Sequence, residues 1–378
     1  MKKIKDIYSV IIAKENLYRS AHMASRGRRY RDTTADFNFC LEDEIGRLHK
    51  ELSTKSYRHG KYRLFTIYDP KERRIAAAPF RDRVVHHAVH DVIEPVIDNT
   101  FIYDSYACRK DKGSHSAIDR AQNFLKLCAF CLHGDVRKYF YSINHDILKK
   151  ILRMRVEDED LLWLLDEIID SAKQLAISDL QFTKKGLPIG NLTSQFFANL
   201  YLNELDYFVK FGLRIDCYLR YMDDFLIFSN DRKTLLDDRE KIRNFLKNKL
   251  ALELHNGKSQ IYKTRNGVKF LGFRIFKDYR RLASDNVKRF KKRMKKFAYL
   301  FENAKIDADE VRDSVRCWVA HSKYADTRKL RLGLWGGLRE KNESFANLLK
   351  DILLDEIIDF PRERERERER GMRCTNSP

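Results

Sequence analysis

Long apolar runs are missing from this 378-residue chain. No stretch approaches the roughly 18 consecutive apolar residues that a membrane-crossing helix needs, so a membrane partner is not expected. A cysteine framework is missing as well. The seven cysteines are odd in number and scattered, most of them inside apolar runs, as suits reduced core thiols in a cytosolic protein. Cys128 and Cys131 have zinc-like spacing, with His133 close by. No second pair of that kind exists, and Leu127, Ala129, Phe130 and Leu132 around them look like core rather than a metal knuckle. Met1-Lys2-Lys3 is a charged start, yet neither an apolar segment nor a small-residue cleavage site follows it. Together these absences lead us to expect a cytoplasmic protein.

Positive charge is what the chain has in excess. Lys and Arg number 75 against 55 Asp and Glu, a net charge of +20. Such an excess favours a polyanionic partner, nucleic acid before membrane. Part of it is local. Arg26, Arg28, Arg29 and Arg31 surround Gly27 and Tyr30, where they either grip RNA phosphates or face solvent. From Ser284 onward Val287, Phe290, Met294, Phe297 and Phe301 recur at helical spacing while lysines and arginines fill the other positions. That pattern predicts a basic amphipathic helix. From Arg362 to Arg370 Arg and Glu alternate with nothing apolar to bury, and the reading there is disorder.

Between these ends the pattern is mixed. Helices are predicted over the first 60 residues, including Phe37 to Leu52, and over Val84 to Ile97, Ser116 to Phe130, Glu157 to Lys173, Ser194 to about Lys210 and Lys233 to Leu250. His86 and His90 lie four apart but have no third ligand at suitable spacing, so they read as a polar helix face. Tyr62 to Tyr68 reads as a strand entering a turn at Asp69-Pro70, followed by the cations Lys71, Arg73 and Arg74. Strand plus cationic loop makes a plausible clamp for a triphosphate, although basic runs are more often wet surface. Gly186-Leu187-Pro188-Ile189-Gly190 is a glycine-punctuated loop with Asn191 or Thr193 placed to cap the next helix. Gly267 to Phe276 reads as a strand pair.

Three aspartates carry the chemistry. Asp135 ends a short buried strand, Leu132 to Val136, and Asn144 is placed to cap the helix after it. Asp223 and Asp224 sit between the strand-like runs Cys217 to Leu219 and Phe225 to Phe228, as a hairpin turn. Asp is also an ordinary turn residue, so that stretch alone reads first as a structural hairpin. Brought together, the three would form a cluster that cannot stay fully ionised without cations. Its hard oxygens favour Mg²⁺.

Taken in order, the motifs from about Arg58 to Phe276 resemble a reverse transcriptase. Asp135 with Phe140 resembles the first catalytic motif, and Gly186 to Gln195 the template-and-nucleotide loop. Tyr221 to Asp224 resembles the second catalytic motif, Lys258 the lysine after it, and Phe270 to Phe273 the primer grip. The resemblance implies an α+β right-hand polymerase: residues 1–134 as N-terminal helices and fingers, 135–280 as palm with an antiparallel sheet, 281–358 as a short helical thumb, and 359–378 as a disordered tail. It implies two Mg²⁺ ions, with Mn²⁺ as a substitute, held by Asp135, Asp223, Asp224 and the Val136 carbonyl. Lys258 would protonate the leaving pyrophosphate. Lys71 and Arg73 would hold the triphosphate beside Ile189 and Gly190, and Phe140 would exclude a ribose 2′-hydroxyl. Tyr221, Met222, Leu271 and Gly272 would bind the primer.

One departure narrows the resemblance. Ile189-Gly190-Asn191-Leu192-Thr193-Ser194-Gln195 is similar to the reverse transcriptases of diversity-generating retroelements, where many others have Gln-Gly and Ser-Pro. That implies cDNA made from a template-repeat RNA and dNTPs, with errors at adenines, beside a small basic accessory protein oligomer. An Ile in place of an amide removes hydrogen bonds near the nascent pair and weakens selection against mispairs. Two other readings stay open: a retron or group II intron reverse transcriptase, and a non-catalytic RNA-binding antiviral protein. No stretch resembles an RNase H domain, an HNH endonuclease or a separate DNA-binding domain, so partners are expected to supply target choice.

Overall fold

The structure, a computed structural model, describes residues 3–68, 72–177 and 184–355. Lys71 and the Arg–Glu tail lie outside the described residues. The chain forms two compact units, one of Met1–Ala117 with Phe130–Ile261, the other of Ile118–Ala129 with the residues from Tyr262 on.

The first unit begins with helices Tyr8–Ile12, Lys14–Ser25, Asp32–Phe39 and Leu41–Ser53. The single helix expected over Phe37 to Leu52 is therefore two, broken at Cys40. In the second of them Ile45, Leu48 and Leu52 recur at helical spacing and are fully buried. The Phe80–Asp98 helix packs against Lys14–Ser25 and buries Val85, Val89, Ile93 and Ile97. It starts four residues earlier than the apolar pattern suggested. His86 on this helix is buried and stacks on His59, rings 5.3 Å apart, so it belongs to the interior and not to a polar face.

Strands Arg63–Ile67 (β1) and Arg73–Ala77 (β2) form an antiparallel hairpin with Ile67 opposite Arg73. Arg73 and Arg74 thus belong to a strand rather than to the loop before it, and both are exposed. The central sheet has the order β4–β5–β3–β6, from Phe130–Asp135 (β3), Tyr218–Tyr221 (β4), Asp224–Ser229 (β5) and Gln260–Lys263 (β6). Phe130 opens β3 instead of closing the preceding helix, which runs Ser114–Leu127. Asp224 is the first residue of β5, so the turn contains only Met222 and Asp223.

Helix Leu192–Tyr207 is buried nearly all round, with Phe196, Phe197, Ala198, Leu200, Tyr201, Leu202 and Leu205 inside together with the polar Asn199, Asn203 and Asp206. A helix of that kind belongs inside a domain. It continues into a π-helical turn, Phe208–Gly212. Helix Arg232–Leu250 begins at Asp231, whose carboxylate accepts from the N–H groups of Lys233 and Thr234.

In the second unit, Val268–Phe270 (β7), Phe273–Ile275 (β8) and Arg280–Leu282 (β9) form an antiparallel sheet. Helices Ser284–Glu302, Ala308–Ser322 and Arg328–Arg339 follow. The first of these is the expected basic amphipathic helix. It buries Phe290 and Met294 and leaves Lys288, Arg289, Lys291, Lys292, Lys295 and Lys296 exposed. Phe290 stacks on Trp318 at 3.7 Å, and the Trp318 indole N–H donates to Asn286 at 2.8 Å.

Candidate active site

The carboxylates meet because of strand register. In β3 and β5 Gly134 lies opposite Phe225, and Asp135 opposite Asp224. Gly134 is required there, since a Cβ would lie 2.1 Å from the Phe225 ring. Tyr221 of β4 also faces Asp224. Beyond the strand ends, the Val136 N–H donates to the Asp223 carbonyl at 3.3 Å. Asp135, Val136, Asp223 and Asp224 therefore share one end of the sheet.

Cations frame them. Lys258 Nζ is 2.5 Å from Asp135 Oδ2, in a segment fastened by the His255 N–H donating to the Asp135 carbonyl at 2.8 Å. His133 Nε2 is 3.2 Å from Asp224 Oδ1. The Asp223 carboxyl is pushed up to about 6, first by burial and then by the charges of Asp224 and Asp135. A carboxyl raised in this way marks a surplus of buried negative charge. The donors are hard carboxylate oxygens, the kind that suits a divalent cation such as Mg²⁺, and among the described residues no group of three or more such side chains is already gathered closely enough to hold one.

The turn itself is held from below. Arg220 is fully buried and directs every guanidinium nitrogen to an acceptor. Its Nε and Nη2 donate to Asp206 at 2.8 and 2.6 Å, and Nη1 donates to Asn199 Oδ1 at 3.1 Å. Nη1 also donates to the Met222 carbonyl at 3.0 Å. Met222 has φ +56°, a left-handed conformation that a non-glycine residue keeps only when its surroundings demand it. The two-residue hairpin turn calls for positive φ at its first residue, and the Arg220 bond holds the Met222 carbonyl there.

A second group of residues lies on the loop from Lys184 to Asn191. The Leu187 N–H donates to the Phe140 carbonyl and the Gly186 N–H to the Ile143 carbonyl, both at 2.8 Å. Phe140 stands on a single helical turn, Tyr139–Ser142, and is half-buried. On the other side of the loop, the Ala76 N–H donates to the Ile189 carbonyl at 3.0 Å. Gly190 has φ +113°, and a Cβ there would lie 2.8 Å from Ile75. Asn144 caps its helix as expected, accepting from the Ile147 N–H. Asn191 does not: its side chain bonds to β2 instead of to the helix N-terminus.

The family described as "Reverse transcriptase (RNA-dependent DNA polymerase)" matches residues 66–275, which include all of these groups. The chain belongs to the reverse transcriptase family. Protein YkfC of Escherichia coli (strain K12) is 26% identical over 252 residues, 56% of this chain and 66% of that protein. The group II intron-encoded protein LtrA of Lactococcus lactis subsp. cremoris is 23% identical over 335 residues, 71% and 55%. The putative COX1/OXI3 intron 2 protein of Saccharomyces cerevisiae is 22% identical over 293 residues, 61% and 34%. The chain thus spans between a third and two thirds of the length of these relatives.

Within this reverse transcriptase the expected site residues fall into separate groups. Asp135, Val136, Asp223, Asp224 and Lys258 come together, with Tyr221 and Met222 on the same hairpin. Phe140, Ile189 and Gly190 are joined through the loop, and Arg73 lies on the strand that the loop touches. Leu271 and Gly272 form the turn between β7 and β8, in the other compact unit, both with positive φ. Sequence reasoning missed His133 as a partner of Asp224, and missed Arg220 altogether. His133 was findable, because it stands two residues before Asp135 and strand periodicity puts both on one face.

Proposed function

We propose that this chain is an RNA-directed DNA polymerase that makes cDNA by nucleotidyl transfer. The observation that carries this reading is the convergence of Asp135, Asp223 and Asp224 with Lys258 at one sheet end. Asp135 and Asp223 would hold two Mg²⁺ ions, with Asp224 and the Val136 carbonyl as further ligands. Such ions, when bound, supply charge for the attacking primer hydroxyl and the departing pyrophosphate. Lys258 donates a proton to the pyrophosphate. Phe140 fills the place of a 2′-hydroxyl. Arg73, with Lys71, holds the triphosphate, and Tyr221 and Met222 hold the primer. The working division is fingers in 1–134, palm in 135–280 and thumb in 281–358.

We assign the chain to the diversity-generating type on Ile189 to Gln195, with a template-repeat RNA as substrate and a small basic accessory oligomer as partner. The names of the similar proteins favour a second reading, an intron-encoded enzyme, since LtrA and the COX1/OXI3 product are both intron-encoded. Sequencing the cDNA made from a defined RNA decides between them. The first reading predicts errors concentrated opposite template adenines, falling several-fold in Ile189→Gln. An even error spectrum, unchanged by that substitution, overturns it.

A further inference from the structure

Asn191 is given no task in the nucleotidyl transfer above, yet the residue is almost entirely buried, at 3% exposure. Its Oδ1 accepts from the Ala78 N–H at 3.2 Å, and its Nδ2 donates to the Ala76 carbonyl at 3.0 Å and to the Pro188 carbonyl at 3.4 Å. The side chain therefore extends the hydrogen bonding at the end of β2, through the Ala76 carbonyl on the strand and the Ala78 N–H just past it, and ties back to its own loop at Pro188. Two contacts beside it act in the same direction. The Ile189 carbonyl accepts from the Ala76 N–H, and Gly190 lets the loop backbone approach Ile75 more closely than a Cβ would permit. Across the loop, Leu187 and Gly186 are bonded to the Phe140 turn. One continuous hydrogen-bonded plate thus joins the strand bearing Arg73 and Arg74 to the loop bearing Ile189 and to the turn bearing Phe140.

We infer that Asn191 is a positioning residue that sets the distance between the triphosphate-holding strand and the loop beside the nascent base pair. It touches neither nucleotide nor metal. It fixes where the groups that do so stand relative to one another, and small displacements of such groups are costly. The inference rests on the assignment of Arg73 to the triphosphate. It does not depend on the error spectrum.

Loss of the carboxamide leaves a buried N–H and a buried carbonyl without partners, so the strand and loop separate or admit water. Asn191→Ala should raise the KM for dNTP about tenfold and change the misinsertion ratio, while kcat at saturating dNTP stays within about twofold. Asn191→Asp keeps an acceptor for Ala78 but turns an oxygen toward the Ala76 and Pro188 carbonyls and buries a charge, so its KM should rise at least as far as that of Asn191→Ala. Single-nucleotide insertion kinetics on a fixed RNA template, run beside thermal melts of each variant, provide the test. A folded Asn191→Ala enzyme with unchanged KM and unchanged misinsertion overturns the inference, as does a loss confined to kcat. Arg73→Ala and Arg74→Ala are run in parallel. If neither moves the dNTP KM, the triphosphate assignment has failed; if one does and Asn191→Ala does not, only the present inference has failed.

Discussion

Burial and neighbouring charge act together on Asp223. It is shielded enough that its carboxyl is raised to about 6, and close enough to Asp135 and Asp224 to feel both charges. Its candidacy was legible only with Asp135 and the order of the motifs beside it, because an aspartate between two strand-forming runs is by itself an ordinary turn residue. The partners that shape its surroundings were not legible. Arg220 shows no sign of burial in its local sequence, and only the fold supplies Asp206, fourteen residues earlier on a helix, as its counter-charge. Phe140 gives the sharpest prediction at this scale. Phe140→Ala should raise ribonucleotide use relative to deoxyribonucleotide use by roughly tenfold or more in kcat/KM, since a steric wall acts on one substrate and not the other. Competing rNTP and dNTP insertion on one template measures it, and unchanged sugar selectivity contradicts the gate.

Elements were read more easily than their junctions. The helices and the hairpin flanking Asp223 follow from apolar period and turn chemistry, and all are present. Boundaries moved where a tertiary partner outbid a local one: Asn191 prefers β2 to a helix cap, and Phe130 prefers the sheet to the helix. The buried pair beneath the hairpin makes a quantitative claim. Asp206→Asn should destabilise the fold by about 3 kcal/mol in urea melts, because a buried guanidinium loses its counter-charge. Replacing both, Arg220→Met with Asp206→Leu, should restore much of that stability but not the rate of primer extension, since the Met222 carbonyl stays without its donor. Recovery of both together would show that the turn does not need Arg220.

The Phe80–Asp98 helix carries a pH signature. Burial holds the His86 imidazole well below its ordinary value of 6.5, helped by the charges of His59, His87 and Arg83. The unfolded chain takes up a proton at this residue below about pH 6.5, while the folded chain does so only at lower pH. Its contribution to stability is therefore present above that value and lost as pH falls below it, by at most about 1.4 kcal/mol per unit. His86→Phe should flatten the acid limb of a stability–pH profile. An unchanged limb would place the titration elsewhere.

At the scale of the molecule, composition pointed to a polyanion, and the family match to an enzyme that handles one. The net charge of +20 is consistent with a nucleic-acid substrate held through phosphates. The basic face of the Ser284–Glu302 helix could be inferred from periodicity because its two faces differ so sharply in residue type. Template identity could not be inferred, because phosphate contacts carry no sequence information.

Primer extension on an RNA template with Mg²⁺ and dNTPs, comparing the unaltered chain with Asp223→Ala, tests the central claim most directly. The account predicts DNA synthesis by the unaltered chain, its loss on chelation of the metal, and a fall of roughly a thousandfold or more in a folded Asp223→Ala. Extension that persists undiminished in Asp223→Ala would contradict it.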